Sequence, residues 1–283
     1  MNTLQNEDGM PVLGWLVSWS TRGFSIERDV LLKALAEAGI DEDFAKEVLP
    51  KNAATRATRQ TAKGADSFHR KVADESQKAA WIVASTEVAA NFDAEFTTDT
   101  KVVYDKGQRS ILVQGAKKAE IMEAFERNKS TYAGDQFRSI VLRYIKRNCG
   151  AVTYLDTGNI YFIPAHYQAD LKKIQVLFAA LASLGASLSV KEEINTKQVR
   201  SVMWSLTVGE VTSQVKKMQE DLDKLDEKSD SQDLKDSTVA NRLKKYADLK
   251  SKVEMYETAL QGKASDLKSD LDKLTTSMKK MLA

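Results

Sequence analysis

The stretches VGEVTSQVKKMQEDLDKL (residues 208–225) and LKSDLDKLTTSMKKM (residues 267–281) decide the architecture of the last third of this chain. Their apolar residues recur at steps of three and four, as in Val208, Val211 and Val215. On a helix this spacing forms a narrow apolar seam, which a helical hairpin or a coiled coil buries. The predicted helices cover about residues 196–227, 234–261 and 265–281.

The charges of this extension also have a pattern. From Lys191 onward there are 18 basic and 17 acidic residues and no proline. Balanced, interleaved charges are typical of a solvated helix face and not of a nucleic-acid-binding tail. The seam could pack within one chain or between chains. Our prediction is a homo-oligomer formed through the C-terminal helices.

The composition excludes several classes of protein. Of the 283 residues, 42% are hydrophobic and 29% are charged, and no apolar run approaches the roughly 20 residues that cross a bilayer. The first ten residues are polar and acidic, unlike a secretory signal. We therefore predict a cytoplasmic protein without a membrane partner. Cys149 is the only cysteine, which excludes an intramolecular disulfide and a thiolate-only zinc site.

Before the extension, the pattern predicts an α+β fold. Residues 12–19 read as a strand, Ser25 as the cap of a helix over 26–38 that Gly39 ends, and Asp41 as the cap of a short helix before Pro50. Residues 79–114 alternate like strands of an antiparallel sheet. The predicted domains are 1–75 (strand, two helices and a basic segment), 76–190 (an α+β domain) and 191–283 (the helical extension).

Within the second domain, residues 116–164 read as helix, turn, helix and two-stranded ribbon. That order is compatible with a winged-helix-like unit, in which the second helix enters the major groove of DNA. The second helix carries Arg138, Arg143, Lys146 and Arg147. The last three share one helix face and could reach several phosphates. The alternative is an ordinary basic face turned to solvent.

A second basic segment runs from Lys51 to Lys71, with six basic residues against Asp66. It is either a loop that becomes ordered on a polyanion or a solvated helix or linker. Arg56 and Arg59 are its candidate phosphate contacts.

The aromatic residues allow two interpretations. Tyr161 and Phe162 on the ribbon could stack on bases or pack in the core. We expect the four tryptophans to pack in the core: Trp15, Trp19, Trp81 and Trp204. Trp204 lies where the globular region meets the extension.

Signals of catalysis are poor. His69 and His166 fit no metal-ligand spacing, and glycine-rich phosphate loops do not occur. A pairing of Cys149 with His166 would have no third member and no oxyanion donors. We predict a protein that is not an enzyme and that has no cofactor, no catalytic residue and no metal site.

Two short motifs resemble a family of uncharacterised prokaryotic and phage-borne proteins. One is Leu49-Pro50 followed by residues 54–59 (ATRATR), and the other is residues 158–164 (GNIYFIP) with the helix after them. The resemblance covers about residues 1–185 and leaves the extension aside. It implies a prokaryotic or phage setting and no site residue.

These patterns together predict an oligomerising protein that contacts nucleic acid through its basic patches. The alternative is a structural or adaptor protein that assembles with itself or docks on a protein partner, as a phage or prokaryotic assembly component or an inhibitor. In that case the basic patches meet acidic protein surfaces.

Overall fold

The fold is taken from a computed structural model that describes residues 4–62, 67–88, 94–154, 159–229, 236–263 and 265–280. The sequence also predicts turns at residues 156–158 and 227–232. The first turn and residues 230–232 of the second lie outside the described residues, whereas residues 227–229 belong to a helix. The described chain forms two compact units. Unit 1 comprises the described parts of Met1–Ser20, Val141–Ala182 and Ala186–Ala283, and unit 2 comprises those of Thr21–Ile140 and Ser183–Gly185.

The strands in the described residues are β1 (Val12–Ser20), β2 (Ser25–Glu27), β3 (Ser67–Asp74), β4 (Lys78–Val88), β5 (Ala94–Asp105), β6 (Ser110–Gly115), β7 (Thr131–Ala133), β8 (Val152–Thr153), β9 (Ile160–Pro164) and β10 (Ser187–Ile194). The α-helices there are α1 (Arg28–Glu37), α2 (Pro50–Thr61), α3 (Lys118–Ser130), α4 (Gly134–Asn148), α5 (Gln168–Ala180), α6 (Lys197–Ser229), α7 (Asp236–Leu260) and α8 (Ser265–Lys280). Short 3₁₀ turns occur at Glu42–Phe44, Ala165–Tyr167 and Ala182–Leu184.

Unit 1 contains an antiparallel sheet in the order β10-β1-β9-β8. In β1, Val17 pairs with Val190 of β10 and Tyr161 of β9, and all of its side chain is buried. Gly14 is required in this strand because a Cβ there would lie 2.3 Å from the carbonyl oxygen of Ile163. The predicted first strand is therefore confirmed as a central element of the sheet.

The three C-terminal helices pack on one another within the chain. One buried cluster contains residues of all three helices: Val211 of α6, Leu249 and Val253 of α7, and Leu271 of α8. A second cluster joins Met203, Tyr256 and Leu260 of the bundle to Leu13 and Phe162 of the sheet. The helix boundaries agree with the sequence pattern to within a few residues. Among the seam residues whose side chains are described, Val211, Leu271 and Leu274 are buried within the chain.

Trp204 has a specific place in this unit. Its indole is partly buried and contacts both the sheet-facing cluster and the bundle cluster. A Cβ added to Gly262, in the turn between α7 and α8, would lie 2.3 Å from Trp204 Cδ2. The absence of a side chain at Gly262 therefore lets the indole pack against the α7–α8 turn.

Unit 2 contains a second antiparallel sheet, a meander in the order β3-β4-β5-β6. Trp81, Val102 and Val113 are aligned across three strands and are buried, while Leu112 on the other face is exposed. Helices α2 and α3 pack on each other and contact the meander. The predicted sheet over 79–114 is confirmed, and β3 is an additional strand because Ser67–Asp74 pairs with β4.

The start of unit 2 corrects one local prediction. Ser25 does not cap a helix, because it lies in β2, which pairs with β7 through Ile26 and Tyr132. Helix α1 begins only at Arg28. Gly39 has a left-handed φ of 66°, as expected for the residue after a helix. The Asp41 carboxylate accepts from the Asp43 N–H, but the helix that it caps is a single 3₁₀ turn.

The structure is α+β with antiparallel sheets and C-terminal helices, as predicted. The order of helix, turn, helix and ribbon is present as α3, β7, α4, β8 and β9. However, β9 lies between β1 and β8 in a four-stranded sheet and does not form a separate two-stranded ribbon. The winged-helix-like assignment and the three sequence domains stay predictions.

Candidate nucleic-acid interface

Helix α4 is the element that positions four of the six predicted contact residues. Its apolar side chains Phe137, Ile140, Val141, Tyr144 and Ile145 are all buried, as the spacing of its apolar residues predicts. Burial of this face leaves Arg138, Lys146 and Arg147 exposed and Arg143 partly exposed. Arg138 belongs to unit 2, whereas Arg143, Lys146 and Arg147 belong to unit 1.

The first turn of α4 is fixed by a side chain of the helix itself. The Gln136 Oε1 atom accepts a hydrogen bond of 2.9 Å from the backbone N–H of Ala133. This contact satisfies one of the N–H groups that a helix start leaves without a partner. Asp135 is a residue type that often caps helices, but it lies inside α4, since Gly134 already belongs to the helix.

Lys146 is the exposed member of an ionic network in unit 1 whose other two charged side chains, Glu210 and Lys252, are mostly shielded from solvent. Its Nζ atom lies 3.6 Å from Glu210 Oε1 of α6, and Lys252 Nζ of α7 lies 3.2 Å from the same oxygen. The carboxylate also accepts from the Thr153 N–H at 2.9 Å and from Gln214 Nε2 at 3.0 Å. Because two ammonium groups share one carboxylate, this network keeps a net positive charge beside α4.

Burial and charge act in opposite directions in this network. Burial raises the pKa of Glu210, but Lys252, the Thr153 N–H and Lys146 outweigh it and hold the pKa below its usual value. Burial lowers the pKa of Lys252, and Glu210 partly offsets that effect. Glu210 is therefore ionised at neutral pH, and its carboxylate accepts from the backbone of β8 at Thr153.

Arg56 and Arg59, the other two predicted contacts, lie on α2 in unit 2. The Arg56 guanidinium is half-buried and donates to the Thr131 carbonyl oxygen and to Gln136 Oε1, both at 2.8 Å. Burial lowers its pKa from the usual value. Arg59 is exposed. Arg56 therefore connects α2 to β7 and to the first turn of α4, a role that its position in the sequence did not indicate.

Two lysines of the second basic segment meet a third lysine from outside it at one end of the unit 2 meander. Lys51 of α2, Lys71 of β3 and Lys106 of the β5–β6 turn all contact the Asp74 carboxylate. Lys51 Nζ lies 2.6 Å from Oδ2, and Lys106 Nζ lies 3.0 Å from Oδ1. We call these four residues the Asp74 cluster. The sequence carries no local signal for it, because the lysines are brought together by strand pairing and helix packing.

The ribbon aromatics belong to the core. Tyr161 and Phe162 are buried, and Tyr161 stacks on Trp19 with ring centroids 5.1 Å apart. Trp15 and Trp81 are buried as well. The alternative in which Tyr161 and Phe162 stack on bases has no exposed rings to support it.

The residues considered for chemistry are also placed. Cys149 is buried, and burial together with the nearby Asp170 raises its pKa to about 12, so the thiol stays protonated at neutral pH. Within the described ranges, no group of three or more His, Cys, Asp or Glu residues could hold a metal ion. In the same part of the chain, none of the helices is long and apolar enough to span a bilayer.

Comparison with known proteins gives one finding. A family model matches residues 12–283. The chain belongs to DUF6744, a family of unknown function. The prediction of an uncharacterised family is confirmed, and the DUF6744 match also includes the helical extension that the two short motifs left aside. Neither the curated proteins nor the solved structures gave a match.

Proposed function

We propose that this protein binds nucleic acid without catalysing a reaction, and that the basic surface of α4 makes the main phosphate contacts. The proposal places it in the cytoplasm, in a prokaryotic or phage setting. The observation that carries it is the orientation of α4, whose apolar face is buried while Arg143, Lys146 and Arg147 lie on another side of the helix.

The spacing of these cations suits a phosphate backbone. Arg143, Lys146 and Arg147 of unit 1 lie within little more than one helical turn of each other. Long side chains on such a surface can reach several phosphates, and each neutralised phosphate releases counterions. Glu210 pairs with both Lys146 and Lys252, so its one negative charge does not cancel the positive charge on this side of α4.

Self-assembly through the C-terminal helices has less support than the sequence suggested. Val211, Leu249, Val253 and Leu271 of the seam contact one another within the chain. The proposal therefore depends on the basic surface and not on the seam. Light scattering at low and high salt measures the oligomeric state independently of nucleic-acid binding.

The proposal is tested by measuring the fluorescence anisotropy of a labelled duplex oligonucleotide over a range of salt concentrations. Replacing Arg138, Arg143, Lys146 and Arg147 with Ala should weaken binding by at least tenfold at low salt. It should also reduce the slope of log K against log salt by about 3. Circular dichroism checks that the variant is folded.

The matched control removes the same charge from the helical bundle. Lys216, Lys217, Lys244 and Lys245 are exposed on α6 and α7, and their replacement with Ala should leave the affinity within about twofold of the wild-type value. Equal losses in both variants would mean that only the total charge matters and would contradict the assignment to α4. A salt-resistant oligomer that binds no oligonucleotide would favour the structural or adaptor alternative.

A further inference from the structure

The Asp74 cluster has more positive charge than its own carboxylate can neutralise. Lys51, Lys71 and Lys106 converge on one aspartate from three different elements of unit 2. One carboxylate balances one ammonium, so two of the three positive charges are uncompensated within the cluster. Like charges held this close repel one another, and a second anion would relieve that repulsion.

The cluster is open to a ligand. The side chains of the three lysines are 29–45% exposed, and that of Asp74 is 31% exposed. Each ammonium has three N–H donors. All three lysines already bond to Asp74, and Lys106 also bonds to the Glu75 carbonyl oxygen. The three ammonium groups together have more donors than these contacts use.

A helix terminus adds to the positive potential. Lys51 lies in the first turn of α2, a helix of 12 residues that begins with Pro50. The N-terminal end of a helix carries a partial positive charge and favours anions. The lysines and the helix start therefore act in the same direction at one end of the meander.

We propose that the Asp74 cluster is a binding site for a phosphate group, held by Lys51, Lys71 and Lys106. A phosphate offers several charged acceptor oxygens, whereas a single carboxylate such as Asp74 offers two. Asp74 keeps the lysines together in the unliganded protein and competes with the ligand for their N–H groups. The site lies on other elements than α4, and it does not depend on the proposed nucleic-acid function.

The test uses the full chain and two probes, pyrophosphate followed by calorimetry and a labelled oligonucleotide followed by anisotropy. Replacing Lys71 and Lys106 with Ala should weaken pyrophosphate binding by about tenfold, as expected for the loss of charge-assisted contacts. Asp74→Asn should strengthen it by about threefold, because the competing carboxylate is removed. The control replaces Lys33 and Lys46, which are exposed lysines of unit 2, with Ala.

The two probes distinguish the source of the phosphate. Loss of pyrophosphate binding alone assigns the site to a free phosphorylated molecule, and loss of oligonucleotide binding alone assigns it to a phosphodiester backbone. Loss of both supports a phosphate site that accepts either source. The proposal is overturned if neither probe distinguishes the lysine variant from its control, or if Asp74→Asn leaves both affinities unchanged. The α4 variant tests the nucleic-acid proposal separately, since its substitutions leave the Asp74 cluster intact.

Discussion

Lys252 of α7 and Glu210 of α6 form an ion pair of 3.2 Å in which each side chain is only 14% exposed. Lys252 also donates to the Ala151 carbonyl oxygen at 3.0 Å, and Glu210 accepts from the Thr153 N–H. The pair thus joins two bundle helices to the residues around β8. Burial makes each partner dependent on the other, because an unpaired charge at this site has little access to water.

Replacing Lys252 with Met should destabilise the protein by about 3 kcal/mol, since Glu210 would then be buried with its main partner removed. The combined change Lys252→Met and Glu210→Gln should recover part of that loss. Urea denaturation measures both free energies of unfolding. The control is Lys250→Met on the same helix, where an exposed pair with Asp272 should contribute less than about 1 kcal/mol. A similar loss in the control would contradict the importance of burial.

Arg56 and Arg59 should differ in their effect on stability although both are arginines of α2. Arg56→Ala should cost about 1–2 kcal/mol, because the Thr131 carbonyl and Gln136 lose their donor. Arg59→Ala should change stability by no more than about 0.5 kcal/mol, as is usual for an exposed side chain. Chemical denaturation of the two variants gives the comparison.

The variant Arg56→Lys separates charge from geometry in the same experiment. A lysine keeps the positive charge but lacks the planar fork that reaches Thr131 and Gln136 together. We expect it to be nearly as destabilising as Arg56→Ala. Full stability of Arg56→Lys would show that charge alone matters at this position.

Gly262→Ala and Gly209→Ala should change stability in opposite directions. A Cβ at Gly262 would lie 2.3 Å from Trp204 Cδ2, so Gly262→Ala should cost about 1–3 kcal/mol through overpacking. Gly209 lies inside α6, and a Cβ there meets no atom within 4 Å. Gly209→Ala should therefore stabilise the protein by up to about 1 kcal/mol, because alanine favours the helix. Thermal unfolding would reveal the two signs, and a Gly262→Ala variant as stable as the wild type would refute this account of Trp204.

Stability should fall at alkaline pH, in part through Cys149. Its thiol has a usual pKa of 9.0 that rises to about 12 in the folded protein. The stability that this shift contributes is therefore fully present below pH 9 and is lost as the pH rises toward 12. In that window the unfolded chain loses the proton first, which lowers the free energy of unfolding by about 1.4 kcal/mol per pH unit.

In the Cys149→Ala variant, the free energy of unfolding should fall less steeply with pH over this range. The substitution itself costs stability at every pH, so the informative quantity is the difference in slope between pH 9 and pH 10.5 and not the absolute value. Buried tyrosines such as Tyr256, whose pKa burial also raises, contribute to the slope of both proteins. Identical slopes would argue against a buried, protonated thiol.

Local patterns in the sequence predict much of the fold. The three-and-four spacing of apolar residues locates α6, α7 and α8, and it also identifies the buried side of α4. Gly39 marks the end of α1 because its left-handed φ suits glycine. These features depend on residues within one or two turns of each other, so a single sequence contains the information. Ser25 is the exception, since pairing of Ile26 with Tyr132 places it in a strand.

The candidate sites depend far more on tertiary structure. The sequence by itself determined where the helices lie, which face of α4 is apolar and which residues carry charge. Only the tertiary structure decided that Val211, Leu249 and Leu271 pack together within the chain. It also decided that Arg56 bonds to Thr131 and Gln136, and that three lysines meet at Asp74. The physical reason is range: helix periodicity acts between near neighbours, whereas these contacts join residues up to 80 positions apart through strand pairing and packing.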